Sequence, residues 1–433
     1  MQYMSTQTPI LIIGAGQAGA MAAAELRKLG HAERIVMVGG ERHAPYERPP
    51  LSKAVLADAS QQGQIGVHPA GFYAERDIEL RLCTTVSAID AARSVATCTD
   101  GSEIRFDACL LATGGRARTL PDLPAGTPNV HYLRTLDDAA RLREAMQGAD
   151  EVLVIGGGFL GLETASTAVD LGLKVTILES ADRLLARAAP AELSDWLAQR
   201  VRAQGVDLRL GCRITAIEPQ AHGVQVRLAD GTTWHIPVLV VAIGLTPNTE
   251  LAAFAGLALH PGNGGIQIDE QGRTSVPNIY AAGDCASQFQ PLFGAEMRME
   301  SWQSANEQAR IAATSMLGLQ AAPAATPWFW TDQFGCNVQM LGAALPGMRY
   351  VWRDMPASGA ASPKFMLLGT LDGCLRHAIA VNAGGDLRQL RALFDLPVNE
   401  HLARLCDAAL PLRQIVREVQ AEISSRTASL TTN

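Results

Sequence analysis

Several things are scarce in this chain, and each shortage excludes a class of protein. None of the 433 residues belongs to an apolar run of about 18, so no membrane-spanning helix and no membrane partner are expected. The eight cysteines (83, 98, 109, 212, 285, 336, 374 and 406) never fall at CxxC spacing, which argues against a disulfide framework and against a bound metal. Aromatic residues make up only 5%, and just four of the 36 basic residues are lysines, at 28, 53, 174 and 364. With 43 acidic residues the formal net charge is −7, which argues against nucleic acid as the main partner. Residues 1–9 lack the basic n-region of a secretory signal, so a cytoplasmic protein with reduced thiols is expected.

What remains is a core-forming chain. Hydrophobic residues at 48% and charged residues at 18% suit an ordinary globular protein, and the length suits roughly two to four domains. Self-similarity organises it. Residues 10–19 read ILIIGAGQAG and residues 152–161 read VLVIGGGFLG. Each is an apolar run, a GxGxxG turn and a small-residue helical stretch closed by a glycine, Gly30 or Gly172. A second apolar strand follows each, at 35–38 and 175–178, and later a hairpin with an Asp-Gly turn, Asp100-Gly101 and Asp230-Gly231. CLLATGG at 109–115 and VVAIGLTPN at 240–248 close the two copies, with Gly114 and Gly244 separated by the same 130 residues as Gly101 and Gly231. The pattern predicts two copies of a dinucleotide-binding unit, the second inserted into the first, with residues 266–286 returning to complete the first. An Ala/Pro linker at 320–327 precedes a different pattern: short strands at 365–368 and 377–381, then a helix with Leu412, Ile415, Val419 and Ile423 on one core-facing stripe.

The expected fold class is therefore α/β: two Rossmann-like three-layer domains plus a C-terminal α+β domain. The boundaries are 1–117 with 248–325 for the first domain, 118–247 for the second, and 326–433 for the third. In the first fingerprint Gly14 serves the tight turn, Gly16 lets backbone approach a pyrophosphate, and Gly19 permits close helix–strand packing; Gly156, Gly158 and Gly161 repeat this. The pyrophosphate would sit on the helix N-terminus. The strand ending KVTILES places Glu179 where a carboxylate accepts both ribose hydroxyls and repels a 2′-phosphate, which favours NADH. The corresponding place in the first copy is Gly39-Gly40, with Glu41 as the substitute acid. Two dinucleotides in one chain suggest a relay from a hydride donor to a flavin, which accepts two electrons and releases them singly. PYERPPLSK at 45–53 stiffens a loop carrying Arg48 and Lys53, two cations suited to a flavin pyrophosphate and ring.

GAGQAG, ERPPLSK, LLATGGRARTLP, YLRTLDDA, GGGFLGLE, GLTPN, NIYAAGDCA, ESWQSANEQA and PWFWTDQ together resemble the FAD-dependent pyridine-nucleotide reductases, in particular the ferredoxin reductase components of bacterial oxygenase systems. The likeness runs from Ile10 to about Ile423. It implies flavin contacts from Ala18, Arg48, Lys53, Val86, Ala112, Gly114 and Arg134, ribityl contacts from Asp284 beside an adjoining helix N-terminus, and Trp302 beside the isoalloxazine. Gly40 stands where the family usually has an acid. On the nicotinamide side it implies Phe159, Leu160, Glu163, Glu179 and Gly244. Glu163 either fixes Lys53 or the nicotinamide carboxamide, or is a simple salt-bridge partner. Trp330 lies on the electron route or anchors the third domain by apolar contact. Arg298 and Arg310 are candidates for an arginine patch facing an acidic partner.

The resemblance thus implies an NADH:ferredoxin oxidoreductase that passes electrons from NADH through FAD singly to a two-iron two-sulfur ferredoxin. That ferredoxin would feed a terminal oxygenase, an aromatic-ring-hydroxylating dioxygenase of aromatic hydrocarbon catabolism or a haem monooxygenase. No thiol precedes Cys83, so the CxxxxC of disulfide reductases and the lone cysteine of NADH peroxidases are both missing. The alternatives are a rubredoxin reductase and a redox-responsive interaction protein in the manner of apoptosis-inducing factor.

Overall fold

The computed structural model describes residues 8–291, 293–355 and 363–431. These form two compact units, one of residues up to 50, 60–117 and 245–325, the other of residues 51–59, 118–244 and 326 onward.

The first unit is built on a five-stranded parallel sheet in the order Ile279–Ala281, Ala108–Leu111, Ile10–Ile13, Ile35–Val38, Ile78–Arg81. Ile10–Ile13 is apolar at every position because both faces of the sheet are covered. On one face lie the helices Gln17–Lys28 and Trp302–Met316, packed through alanines such as Ala20, Ala23, Ala309 and Ala312. On the other lies the antiparallel sheet Val86–Asp90, Val95–Cys98, Glu103–Arg105, whose Val86 and Ile104 meet Leu11 and Ile13. That makes three layers. The strand Ile279–Ala281 is the expected return of the chain to complete this sheet. Residues 266–268 pair instead with Ala286–Gln290 in a separate small sheet.

In the second unit the same plan recurs as a parallel sheet in the order Asp207–Arg209, Lys174–Leu178, Glu151–Ile155, Val238–Val241, Val130–His131. Here the fifth strand comes from before the fingerprint, whereas in the first unit it comes from after the insertion. The three-stranded sheet Ile214–Gln220, Gly223–Leu228, Thr233–Ile236 supplies the covering layer. This unit also carries a five-stranded antiparallel sheet, in the order Trp328–Gln333, Cys336–Gly342, Cys374–Val381, Phe365–Leu371, Arg349–Asp354. The stripe Leu412, Ile415, Val419 and Ile423 of the helix Leu412–Thr431 is buried against that sheet's core, as its period predicts. The strands Trp328–Gln333, Cys336–Gly342 and Arg349–Asp354 lie outside the two expected at 365–368 and 377–381; in the first of them the buried positions Thr331 and Gln333 are polar while the tryptophans are only half-buried, which inverts the usual alternation. No helix of the described residues is long and apolar enough to cross a membrane, and no acidic, histidine or cysteine group among them could hold a metal ion.

Candidate functional site

The two fingerprint turns have the same internal geometry. Gly14 has φ +118°, and a Cβ there would stand 2.1 Å from the carbonyl oxygen of Ala112; Gly156 has φ +114° and would meet Ala242 O at 2.3 Å. A Cβ on Gly19 or Gly161 would strike the carbonyl oxygen of Gly14 or Gly156 at 2.0 Å. Gly16 and Gly158 differ: nothing lies within 4 Å of a Cβ built on either. Both are helix N-caps in extended conformation, so no side chain caps the first amides of the helices Gln17–Lys28 and Phe159–Asp170, and the space beside each cap residue is open. These cradles fit a dinucleotide pyrophosphate, which supplies acceptors for those amides and negative charge for the dipole.

The residue that closes the second strand separates the copies. Gly39 N–H donates to Arg81 O at 2.8 Å and Glu179 N–H to Arg209 O at 2.9 Å, so Gly39 and Glu179 occupy equivalent positions. In the first unit Ala15 fills the space before Gly39, with its Cβ 2.5 Å from where a Gly39 Cβ would be. The second unit reverses this. Gly157 replaces the alanine, and the Glu179 side chain fills the space. Its Oε2 accepts from Gly157 N–H at 2.6 Å and its Oε1 from Ala181 N–H at 2.7 Å. A carboxylate so held keeps lone pairs for a ribose diol. Glu41 lies two residues beyond the equivalent point. Its Oε1 accepts from Arg48 at 2.7 Å, and its Oε2 accepts from the Tyr46 hydroxyl. Gly40 lies beside Thr85, whose Oγ1 would be 3.1 Å from an added Cβ.

Among the first unit's other candidates, Asp284 lies close enough to that Arg48 to act on its charge. Burial works against the Arg48 charge, but Tyr46, Glu41 and Asp284 hold the guanidinium above its ordinary value. Arg48 also lies over the Tyr46 ring at 5.2 Å. Ala18 is buried, 3.1 Å from a Cβ built on Gly283, so the fingerprint helix meets the AAGD turn closely. The chain itself runs on from Asp284 into the strand Ala286–Gln290, so the helices that adjoin this turn come from elsewhere: Gln17–Lys28 through Ala18, and Trp302–Met316 through Gln308, whose Oε1 accepts from Gly283 N–H at 2.8 Å. Trp302 donates its indole N–H to Glu47 at 3.1 Å. The turn holding Ala112 and Gly114 is tied to the return strand by Thr113 Oγ1 to Asn248 O at 2.6 Å and Asn248 N–H to Gly114 O at 2.9 Å. Val86 is buried on its hairpin. Arg298 pairs with Glu300 at 2.6 Å and donates to the Asp284 carbonyl, and Arg310 donates to Ala322 O. Both guanidiniums are thus engaged within their own unit.

Lys53 and Arg134 fall in the second unit with the nicotinamide-side candidates. Lys53 Nζ lies 2.8 Å from Glu163 Oε1. Sequence reasoning did not find the other donors to this buried carboxylate: Ser52 Oγ at 2.6 Å and Thr331 Oγ1 at 2.7 Å. Glu163 belongs to the face of the helix Phe159–Asp170 that lies along the strand Trp328–Gln333. Phe159 meets Phe329 at 4.4 Å between ring centres, and Ser166 Oγ accepts from Phe334 N–H at 2.7 Å. Phe329 is therefore the apolar contact to the helix Phe159–Asp170, while Trp328 and Trp330 stack on each other at 5.1 Å on the strand's other face, where Trp328 packs against the core of the C-terminal sheet. Alternation along WFWT was the signal that could have separated these roles. Leu160 begins the helix beside Phe159, and Gly244 (φ +117°) accepts from Arg118 N–H, with Arg187 close by. Arg134 leads into a helix whose N-cap Thr135 and Asp138 form a capping box.

Two parallel sheets, each followed by a glycine turn that opens a helix, define a protein with two dinucleotide-binding-type units. The chain belongs to the pyridine nucleotide-disulphide oxidoreductase family, whose signature matches residues 8–309, and a reductase C-terminal signature matches residues 328–416. It is 40% identical to the 3-phenylpropionate/cinnamic acid dioxygenase ferredoxin–NAD(+) reductase component of Photorhabdus laumondii, over 91% of this chain and 98% of that one. The crystal structure of the ferredoxin reductase for the CYP199A2 system from Rhodopseudomonas palustris is similar at 36% identity and TM-score 0.87, covering 95% of this chain and 100% of that one. The reductase of the covalent putidaredoxin reductase–putidaredoxin complex is similar at 34% identity and TM-score 0.88, covering 96% and 99%.

Proposed function

We propose that this protein is an NADH-dependent FAD flavoprotein that reduces a two-iron two-sulfur ferredoxin, which in turn serves an aromatic-ring-hydroxylating dioxygenase or a haem monooxygenase. Residues 1–117 and 248–325 would hold FAD, residues 118–247 NADH, and residues 326–433 form the reductase C-terminal domain. A bound flavin supplies acceptance of an electron pair and release of single electrons. The chain's own residues do the rest. The Gly14–Gly19 turn and Arg48 bind the FAD pyrophosphate, and Asp284 takes the ribityl hydroxyls. Gly156, Gly158 and Gly161 bind the NADH pyrophosphate while Glu179 takes its ribose. Lys53, held by Glu163, presents a positive charge to the flavin, and Trp330 lies on the exit route. Positioning of the two rings supplies most of the rate, so little acid–base machinery is needed.

The observation that carries this reading is the Lys53–Glu163 pair at 2.8 Å, in a segment that holds no thiol. Cys109 and Cys285 are buried, and burial pushes both thiols above their ordinary range, so neither suits a redox relay. The test is spectroscopic. Purified protein should be yellow, NADH should bleach it without oxygen, and cytochrome c reduction should then depend steeply on added ferredoxin. Fast oxygen consumption with no enhancement by ferredoxin would replace this reading with an oxidase, and titration with rubredoxin separates the two carrier classes.

A further inference from the structure

We infer that Thr331 is a positioning residue for the Lys53–Glu163 pair, and that through it the strand bearing Trp330 sets where the lysine points. The inference rests on the flavin and NADH reading above. Glu163 is buried, and its carboxylate is held from three sides. Lys53 Nζ and Thr331 Oγ1 share Oε1 at 2.8 and 2.7 Å, while Ser52 Oγ holds Oε2 at 2.6 Å. Thr331 is completely buried, and its oxygen accepts from Gln333 Nε2 at 3.3 Å. A hydroxyl has a single proton, so accepting from Gln333 directs that proton to Glu163. The lysine side is anchored as well: Thr167, one turn beyond Glu163, donates to the Ser52 carbonyl at 2.7 Å. Ser52 and Thr167 fix one end of the pair from within the fingerprint helix and the proline loop. Thr331 fixes it from the C-terminal sheet.

The consequence follows from strand alternation. Neighbouring residues point to opposite faces, so Thr331 faces the helix Phe159–Asp170 while Trp330 and Trp328 face away. A displacement of this edge strand large enough to reorient Trp330 also stretches the bond to Glu163. Lys53 has four rotatable side-chain bonds, and its ammonium takes its direction from the carboxylate it pairs with. Contact at the tryptophan face and orientation of the lysine are thus coupled through one hydrogen bond.

The experiment uses the FAD-loaded protein. Thr331→Val keeps shape and removes the hydroxyl; Thr331→Ser keeps the hydroxyl. Thr331→Val should slow bleaching by NADH in stopped flow by roughly three- to tenfold, the effect of one buried hydrogen bond, with the NADH dissociation constant unchanged. The midpoint potential of the bound flavin should move to more negative values in spectroelectrochemical titration, because a loosened Lys53 stabilises the reduced ring less. Thr331→Ser should restore both. If Thr331→Val does not yield soluble protein, Thr331→Ala is read against Thr331→Ser in the same way. A wild-type rate and potential in the hydroxyl-free variant, or an equal defect in Thr331→Ser, overturns the inference while leaving the reading intact. A wild-type protein that NADH does not bleach overturns both.

Discussion

The backbone N–H of Gly157 donates to Oε2 of Glu179 at 2.6 Å, and a Cβ on Gly157 would stand 3.1 Å from that same oxygen and 2.6 Å from Leu184 Cδ2. Glycine at this point leaves the room in which the Glu179 carboxylate lies. In Gly157→Ala the extra methyl displaces Leu184 and Glu179, and overpacking of this kind costs about 1–3 kcal/mol. NADH should bind roughly tenfold more weakly while NADPH binding changes little, as measured by titration of flavin bleaching. Glu179→Ala should give the same relaxation, and Gly157→Ala should add little to it. Fully additive effects would show that the two residues act apart.

Gly14 and Gly16 lie two residues apart and should respond differently. A Cβ at Gly14 collides with the Ala112 carbonyl at 2.1 Å in a left-handed backbone, so Gly14→Ala should cost several kcal/mol and yield little folded protein. A Cβ at Gly16 meets nothing within 4 Å, so Gly16→Ala should fold with near-native circular dichroism. Its methyl would occupy the space a pyrophosphate needs. The prediction is a folded protein with weak flavin retention on gel filtration. Tight flavin retention in Gly16→Ala would place the pyrophosphate elsewhere.

Removing Lys53 leaves Glu163 buried without its counter-charge. Breaking a fully buried pair costs about 3–5 kcal/mol. Lys53 keeps 20% side-chain exposure and the hydroxyls of Ser52 and Thr331 remain, so Lys53→Met should cost about 1–3 kcal/mol in urea unfolding. The double variant Lys53→Met with Glu163→Gln removes the charge as well and should regain part of the loss. If the double variant is no more stable than Lys53→Met alone, the pair does not govern the local energetics.

His377 supplies a pH dependence of known sign. It is fully buried on the strand Cys374–Val381, its Nδ1 lies 2.8 Å from the Tyr350 hydroxyl, and burial pushes its pKa down to about 3. The unfolded chain has a histidine near 6.5 and binds the proton first, so stability is full above that value and falls as pH drops toward 3. At pH 5 the loss is about 2 kcal/mol, or about 1.4 kcal/mol per pH unit. In His377→Gln the slope of stability between pH 7 and pH 5 should flatten by that amount. An unchanged slope would mean that the ring takes up its proton as readily in the folded protein as in the unfolded chain.

Much of the fold was readable in the chain, and the reason lies in glycine. A GxGxxG turn after an apolar strand tolerates few alternatives when a Cβ meets a carbonyl at 2.0–2.3 Å, so the motif reports its own geometry. Glu179 was readable because strand length places it relative to that turn. The fate of Glu41 was not. Only the folded loop brings Arg48 and Tyr46 onto its carboxylate. Nor were the donors to Glu163 readable: Ser52 is 111 residues away and Thr331 is 168 residues away.

By itself, then, the sequence determined the duplicated dinucleotide-binding plan, the return of the chain to the first sheet, and the lack of a thiol after the proline turn. These follow from short-range sterics and strand patterning, which act over a few residues. The tertiary structure alone decided which hydroxyls surround the buried Glu163, and which side of the WFWT strand meets the helix Phe159–Asp170 and which carries the stacked tryptophans. Those contacts join segments far apart in the chain, and the energy of packing, not any local preference, selects them.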